Sequence, residues 1–201
     1  MKKIVLASTS IYRREQLATL GIAFESQKPK FDEDTEKGAI ARELKNPILI
    51  AQKLSHCKGA SLACPDTICI SGDQLVAFEG QILGKPETRG NSIIQLQMLQ
   101  NKTHELVTAC TVFHGLAPIE LTVVTTVKIK PLTLDQIARY VDLDQPWDCA
   151  GSYKIEKHGV QIVESIKTDD FTAIQGLPLL LLANVLGSLG ISIPTSGGHH
   201  D

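Results

Sequence analysis

Aromatic residues are scarce, at 4% of 201 residues. A nucleic-acid surface built on stacked bases needs more of them, so that class is disfavoured. An excess of either charge is missing too: 20 basic side chains face 22 acidic ones, for a formal net charge of −2. That balance argues against a protein that coats nucleic acid and excludes a highly charged disordered chain. The longest apolar run, residues 177–183, contains Pro178 and is far too short to span a bilayer. The basic-then-apolar start is broken by Ser8, Ser10, Arg13 and Arg14, too early for a secretory signal. The five cysteines (Cys57, Cys64, Cys69, Cys110, Cys149) are odd in number and show no C-x-x-C spacing. A disulfide framework or thiolate zinc site is therefore not expected, and scattered thiols fit a reducing cytoplasm. No G-x-x-x-x-G-K-[ST] phosphate loop occurs.

What is present suffices for one domain: 43% of residues are apolar. The expectation is a single domain over 1–194 with a central cleft. Residues 195–201 read as a frayed tail, whose His199-His200 pair is a tail feature rather than a metal site.

The chain reads as alternating strands and helices. Residues 4–7 are a buried-strand pattern, and Ser10 can cap a helix over 11–20 that stops at Gly21. Residues 28–46, rich in charge, read as a loop or loosely held segment. Asn46-Pro47 opens a helix to about residue 62, since proline at the first helical position forfeits no needed hydrogen bond. Ile50, Ala51, Leu54, Cys57 and Leu62 form its apolar stripe, and Lys58 lies on it. A strand over 67–71 leads into Gly72-Asp73-Gln74, and Glu79-Gly80 turns a hairpin between 75–78 and 81–83. A helix over 91–99 and extended chain over 103–113 follow. Residues 119–129 alternate apolar and polar, the period of a half-exposed strand. Thr133 and Gln136 form a capping box for the next helix. A short strand over 162–166 and a buried helix over 177–189 complete the series.

Five features carry chemistry. Ser8, Ser10, Arg13 and Arg14 lie where a strand gives way to a helix start. Cations are unfavourable beside that dipole end, so two arginines there point to a bound anion such as phosphate. A solvated helix start with Ser10 as cap explains the pattern as well. Lys58 either snorkels to water or holds its ammonium in a cleft. Asp73, after Gly72 at a strand end, is placed to hold a divalent ion or deprotonate a water, or is a plain turn aspartate. Gly84-Lys85-Pro86 presents Lys85 on a stiff turn and is by itself a surface turn. Residues 150–156 contain small residues, Tyr153 and Glu156, which suit a base pocket no better than a loop. Together, the cations Arg13, Arg14, Lys58 and Lys85 with the carboxylates Glu33 and Asp73 fit a polyphosphate bridged by a divalent metal.

These motifs resemble, in order, the Maf family of nucleoside triphosphate pyrophosphatases. The matching pieces are Leu6-Ala-Ser-Thr-Ser10 with Arg13-Arg14, Asp32-Glu33, Lys58, Gly72-Asp73, Leu83-Gly-Lys-Pro86, Gly151-Ser-Tyr153 and Gly176-Leu-Pro-Leu179. Gln74 after Asp73, and Glu156 after Cys149-Ala-Gly-Ser-Tyr-Lys154, are similar to the branch that acts on 7-methyl-GTP. Two departures stand out. Gly72 replaces that branch's serine, and Ile11 replaces the usual proline after Ser10. Lys53 is the rival for the Lys58 position.

The resemblance implies an α/β fold, a mixed twisted sheet flanked by helices, with two lobes around a deep cleft. It implies a hydrolase that releases diphosphate from 7-methyl-GTP to leave 7-methyl-GMP, as removal of a modified nucleotide. In that scheme Asp73, Glu33, Lys58 and Lys85 are catalytic, and Ser8, Ser10, Arg13 and Arg14 bind phosphate. Gln74 and Glu156 read the base, and Glu33 and Asp73 hold Mg²⁺ or Mn²⁺. A homodimer acting on nucleoside triphosphates, with no nucleic-acid or membrane partner, completes the expectation. The alternatives are a dTTP/UTP pyrophosphatase of the same family and a non-enzymatic nucleotide-binding regulator of cell division or septum formation.

Overall fold

The structure is a computed structural model, and it describes residues 2–194. The expected tail, 195–201, lies outside the described residues. A mixed sheet of seven strands has the order β2 (Glu25–Gln27), β1 (Lys3–Ala7), β3 (Thr67–Phe78), β5 (Thr103–His114), β6 (Ala117–Ile129), β7 (Val163–Lys167), with β4 (Gln81–Leu83) paired to β3. β2, β1 and β3 run parallel, and every later pairing is antiparallel. Among the described residues, six α-helices flank it: α1 (Ile11–Ala18), α2 (Glu33–Leu44), α3 (Pro47–Ala60), α4 (Arg89–Leu99), α5 (Leu134–Asp144) and α6 (Leu179–Ser188).

Local chemistry explains the ends of these elements. Ser10 caps α1, Asn46 caps α3 with Pro47 in its first turn, and the Thr133–Gln136 capping box opens α5. Glu79 and Gly80 both adopt positive φ, as a tight turn between β3 and β4 requires. Along β6, Val123, Thr125, Val127 and Ile129 are buried while their neighbours are not, the alternation read from sequence.

Two expectations change. Residues 28–46 are not a loop throughout: Asp32 accepts from the Thr35 N–H and starts α2, whose Ile40 is buried against Ile50 and Leu54 of α3. The charged surface of α2 hides this from a periodicity reading, because only one narrow face is buried. Second, Gly72-Asp73-Gln74 is not a strand-end turn. β5 pairs with β3 from Ile68↔His114 to Ala77↔Glu105 without a break, so Asp73 sits inside one long strand.

That strand organises the molecule. Its alternation sends Ile68, Ile70, Val76 and Phe78 to one face and Leu75 to the other. On the first face, α1 and α6 cover the Ile68–Ile70 end, while α4 and α5 cover the Val76–Phe78 end. α3 covers the opposite face. β1 stops at Ala7, opposite Ser71, and the pairing of β4 reaches only as far as Leu83, its last residue, opposite Val76. Among the described residues, positions 72–75 of β3 therefore have no strand partner on that edge. The cleft opens at this gap.

Candidate active site

The cleft has a volume of about 980 Å³ and wraps around the free edge of β3. It reaches Asp73 and Lys58 on the α3 face and Gln74 on the other. The edge lies beyond the carboxyl end of β1, so the ligand-site rule for parallel strands applies to β1, not to β3.

At the end of β1, Ser8 Oγ accepts from the Ser10 N–H at 3.1 Å, and Ser10 Oγ accepts from the Arg13 N–H at 3.4 Å. Both hydroxyl hydrogens stay available to an anion at the start of α1. Arg13 lies along β3: its Nε donates to the Gly176 carbonyl at 3.1 Å. A Cβ on Gly72 would lie 2.9 Å from Leu177 Cδ2 and 3.3 Å from Arg13 Nε. The glycine that departs from the family branch thus lets Arg13 and Leu177 press against the strand. Arg14 is exposed and does not line the cleft. Successive helical residues point about 100° apart, so Arg14 leaves the helix in a different direction from Arg13.

Across the edge, Lys58 is 8% exposed. Its Nζ lies 2.7 Å from Asp73 Oδ1 and 2.7 Å from Glu33 Oε2. Gly59 makes this reach possible. A Cβ there would come within 2.6 Å of Ser71 Oγ and 2.8 Å of the Phe113 ring, so α3 packs directly on the sheet. Lys58, not its rival Lys53, lines the cleft. Burial pushes the Glu33 carboxyl up, but the charges of Lys58, then Lys37 and Arg13, outweigh it and hold it below its ordinary range. Asp73 is 3% exposed, and its Oδ2 is buried with no hydrogen-bond partner. A buried carboxylate oxygen left bare costs free energy unless a ligand satisfies it. A divalent cation or a water proton meets that need. Among the described residues no group of three or more His, Cys, Asp or Glu side chains gathers as a metal cage. Glu33 and Asp73 fit an ion that keeps waters and substrate oxygens in its shell, as Mg²⁺ does.

On the other face, Gln74 Nε2 donates toward Thr108 Oγ1 at 2.9 Å and the carbonyls of Ala173 and Ile174 at 3.0 and 3.2 Å. Its amide hydrogens are committed to the protein, which leaves the side-chain oxygen, an acceptor, for a ligand. Tyr153 and Glu156 line the same part, with Glu156 exposed. Lys85 extends from the end of β4 and is steadied by the buried Pro86.

Sequence reasoning missed several lining residues. Lys28, Lys30 and Lys37 add cations from the segment read as a loop. Tyr12 of α1 donates to Asp148 Oδ2 at 2.9 Å, and Lys154 pairs with Asp148 at 3.0 Å. This contact ties α1 to the segment after α5. Burial opposes the charge on Asp148, but the hydrogen bonds from Lys154 and Tyr12 hold its carboxyl below the usual range. The motif around Lys154 carried the only signal for this group.

Tyr153 also has a buried support: its hydroxyl lies 2.8 Å from Nε2 of His104. Burial pushes the His104 imidazole down from 6.5 to about 4. The unfolded chain therefore binds a proton that the folded one refuses between these values, and stability falls as pH drops from about 6.5 toward 4. His104→Gln should remove about 2 kcal/mol of the loss between pH 7 and pH 5. Melting curves at the two pH values check this; equal losses in both proteins would refute it.

The Maf-like protein family model matches residues 3–189. A 7-methyl-GTP pyrophosphatase of Bdellovibrio bacteriovorus is 48% identical over 185 residues, covering 92% of this chain and 96% of that protein. Proteins of the same name from Pseudomonas aeruginosa and Xanthomonas axonopodis are 37% and 35% identical, each over 96% of this chain and 100% of theirs. A match along nearly the whole sheet, including every strand that borders the cleft, leaves one assignment: the chain belongs to the Maf-like family.

Proposed function

We propose that the protein hydrolyses 7-methyl-GTP to 7-methyl-GMP and diphosphate. The observation that carries this reading is the bare, buried Oδ2 of Asp73 beside Lys58 and Glu33, in a cleft lined by cations. The name shared by the relatives supports the choice of substrate.

In this mechanism Asp73 takes a proton from the water that attacks the α-phosphorus. The bond from that phosphorus to the bridging oxygen breaks, and diphosphate leaves. Arg13 and Lys85 neutralise the charge that grows on the leaving group, together with the Ser8 and Ser10 hydroxyls and the start of α1. Glu33 and Asp73 would hold Mg²⁺ or Mn²⁺. When bound, such an ion neutralises phosphate charge and lowers the pKa of a coordinated water. The free amide N–H groups at the start of α1 need no reorganisation to meet phosphate oxygens.

The base is read by acceptors. Guanine offers N1–H and N2–H donors, which suit the Glu156 carboxylate and the Gln74 carbonyl oxygen. Methylation at N7 places positive charge on the ring, which Glu156 favours further. The test is diphosphate release with Mg²⁺ over 7-methyl-GTP, GTP, dTTP and UTP. Preferred turnover of 7-methyl-GTP supports the reading. Turnover of dTTP and UTP alone would replace it with the pyrimidine reading, and no turnover would favour a nucleotide-binding regulator. Glu156→Gln should cut the preference for 7-methyl-GTP over dTTP by about tenfold, the size of one charged contact. An unchanged ratio of kcat/KM values would remove Glu156 from base recognition.

A further inference from the structure

Lys58 does more than contribute a positive charge to the cleft. Its Nζ stands 2.7 Å from Asp73 Oδ1 and 2.7 Å from Glu33 Oε2. These are oxygens of the two carboxylates that the preceding reading assigns to the metal. The ammonium is nearly out of solvent, its side chain only 10% exposed, so water screens it little. A divalent ion held by Asp73 Oδ2 and Glu33 would sit beside that ammonium, and their like charges, little screened, would oppose each other.

We propose that Lys58 is a resident counter-cation. It neutralises the carboxylate pair in the empty site, keeps the bare divalent ion out, and yields only when a nucleotide triphosphate arrives to receive the ammonium. The ion and the nucleotide then bind as one event. This inference rests on Glu33 and Asp73 as the metal's protein ligands.

A lysine is suited to the exchange. Its charge is a single mobile point on a flexible stem, so it can leave two carboxylates for a phosphate without a backbone change. Two carboxylates without it would repel each other in a partly buried site and would recruit the strongest cation available.

The test is Mn²⁺ binding to nucleotide-free protein, followed by the paramagnetic resonance of the free ion. Wild type should bind Mn²⁺ weakly, and Lys58→Met should bind it at least about tenfold more tightly. Adding Glu33→Gln to Lys58→Met should abolish the gain. Equal affinity in Lys58→Met and wild type would overturn the counter-cation role. If affinity rises in Lys58→Met and survives the added Glu33→Gln, the assignment of Glu33 to the metal fails instead, and this inference with it. A second measurement needs no folded Lys58 variant. In wild type with isotope-labelled lysine ammonium groups, Mg²⁺ alone should leave the Lys58 nitrogen resonance in place. Mg²⁺ with the α,β-imido analogue of GTP should move it. Movement with Mg²⁺ alone would equally overturn the proposal.

Discussion

Asp73→Asn is expected to lower kcat for diphosphate release by roughly a thousandfold or more, with the fold intact. The substitution keeps the shape of the side chain, so β3 should retain its pairing with β5 through Asp73↔Ala109. Its amide can still accept from Lys58 through one oxygen. What it loses is charge and basicity at Oδ2, a buried oxygen with no hydrogen-bond partner among the described residues. If Asp73 takes the proton of the attacking water, asparagine cannot. If it instead holds the ion that activates that water, asparagine holds it far less well. Either way the rate falls: with KM little changed if Asp73 acts only as the base, and with KM raised if it holds the ion that binds together with the nucleotide. A steady-state comparison of kcat and KM, with a melting curve as control, decides it. Near-wild-type turnover in a folded Asp73→Asn protein would remove Asp73 from the chemistry.

The second large effect lies away from the reacting atoms. Asp170 is fully buried, at 0% exposure, and its carboxylate accepts from four donors. Oδ1 receives the Thr172 N–H at 3.0 Å and the Thr172 hydroxyl. Oδ2 receives the N–H groups of Leu180 and Leu181 at 2.9 and 3.2 Å. One side chain thus caps both the helical turn Phe171–Gln175 and the start of α6, where Pro178 offers no side-chain cap. Asp170→Ala should cost about 3 kcal/mol, since it strands several partly buried donors at once. For a chain of this size that corresponds to a fall in Tm of roughly 6–12 °C. The same turn supplies the Ala173 and Ile174 carbonyls that hold Gln74, and Gly176, just beyond it, holds Arg13. The surviving folded fraction should therefore bind nucleotide more weakly. A Tm within about 2 °C of wild type would show the caps to be dispensable.

Asp170 also shows why parts of the site were illegible. Asp169 and Asp170 are adjacent carboxylates in a polar stretch, and nothing local says which turns inward. The answer depends on α6 beginning nine residues later, at Leu179, and folding back over it. Asp73 gave the opposite difficulty. Its type and its neighbours pointed to chemistry, but local pattern placed it in a turn, since Gly-Asp so often marks one. Only the antiparallel pairing with β5, more than thirty residues away, carries β3 straight through. Arg13 and Arg14 look equivalent in sequence, and the 100° step of a helix separates them once α1 is seated against Gly72 and Gly176. α2 escaped for another reason. Its buried face is one row of residues around Ile40, too narrow to raise a periodic signal above its charge.

What the sequence determined alone was what short-range physics controls. Caps at Ser10, Asn46 and Thr133, the Glu79-Gly80 turn, the alternation of β6 and the Ile50, Ala51, Leu54 and Lys58 positions of the α3 stripe all depend on residues within a few positions of one another, whereas Cys57 is only half-buried and Leu62 lies beyond the helix. The order of motifs along the chain was enough to name the family. Tertiary structure decided how those motifs meet. It ended β1 at Ala7, opposite Ser71, and β4 at Leu83, opposite Val76, which left the β3 edge between them open. It brought Lys58 between two carboxylates 25 and 15 positions away in the chain. Convergence of that kind is set by sheet order and by the close approach of α3 over Gly59, and no local pattern encodes either.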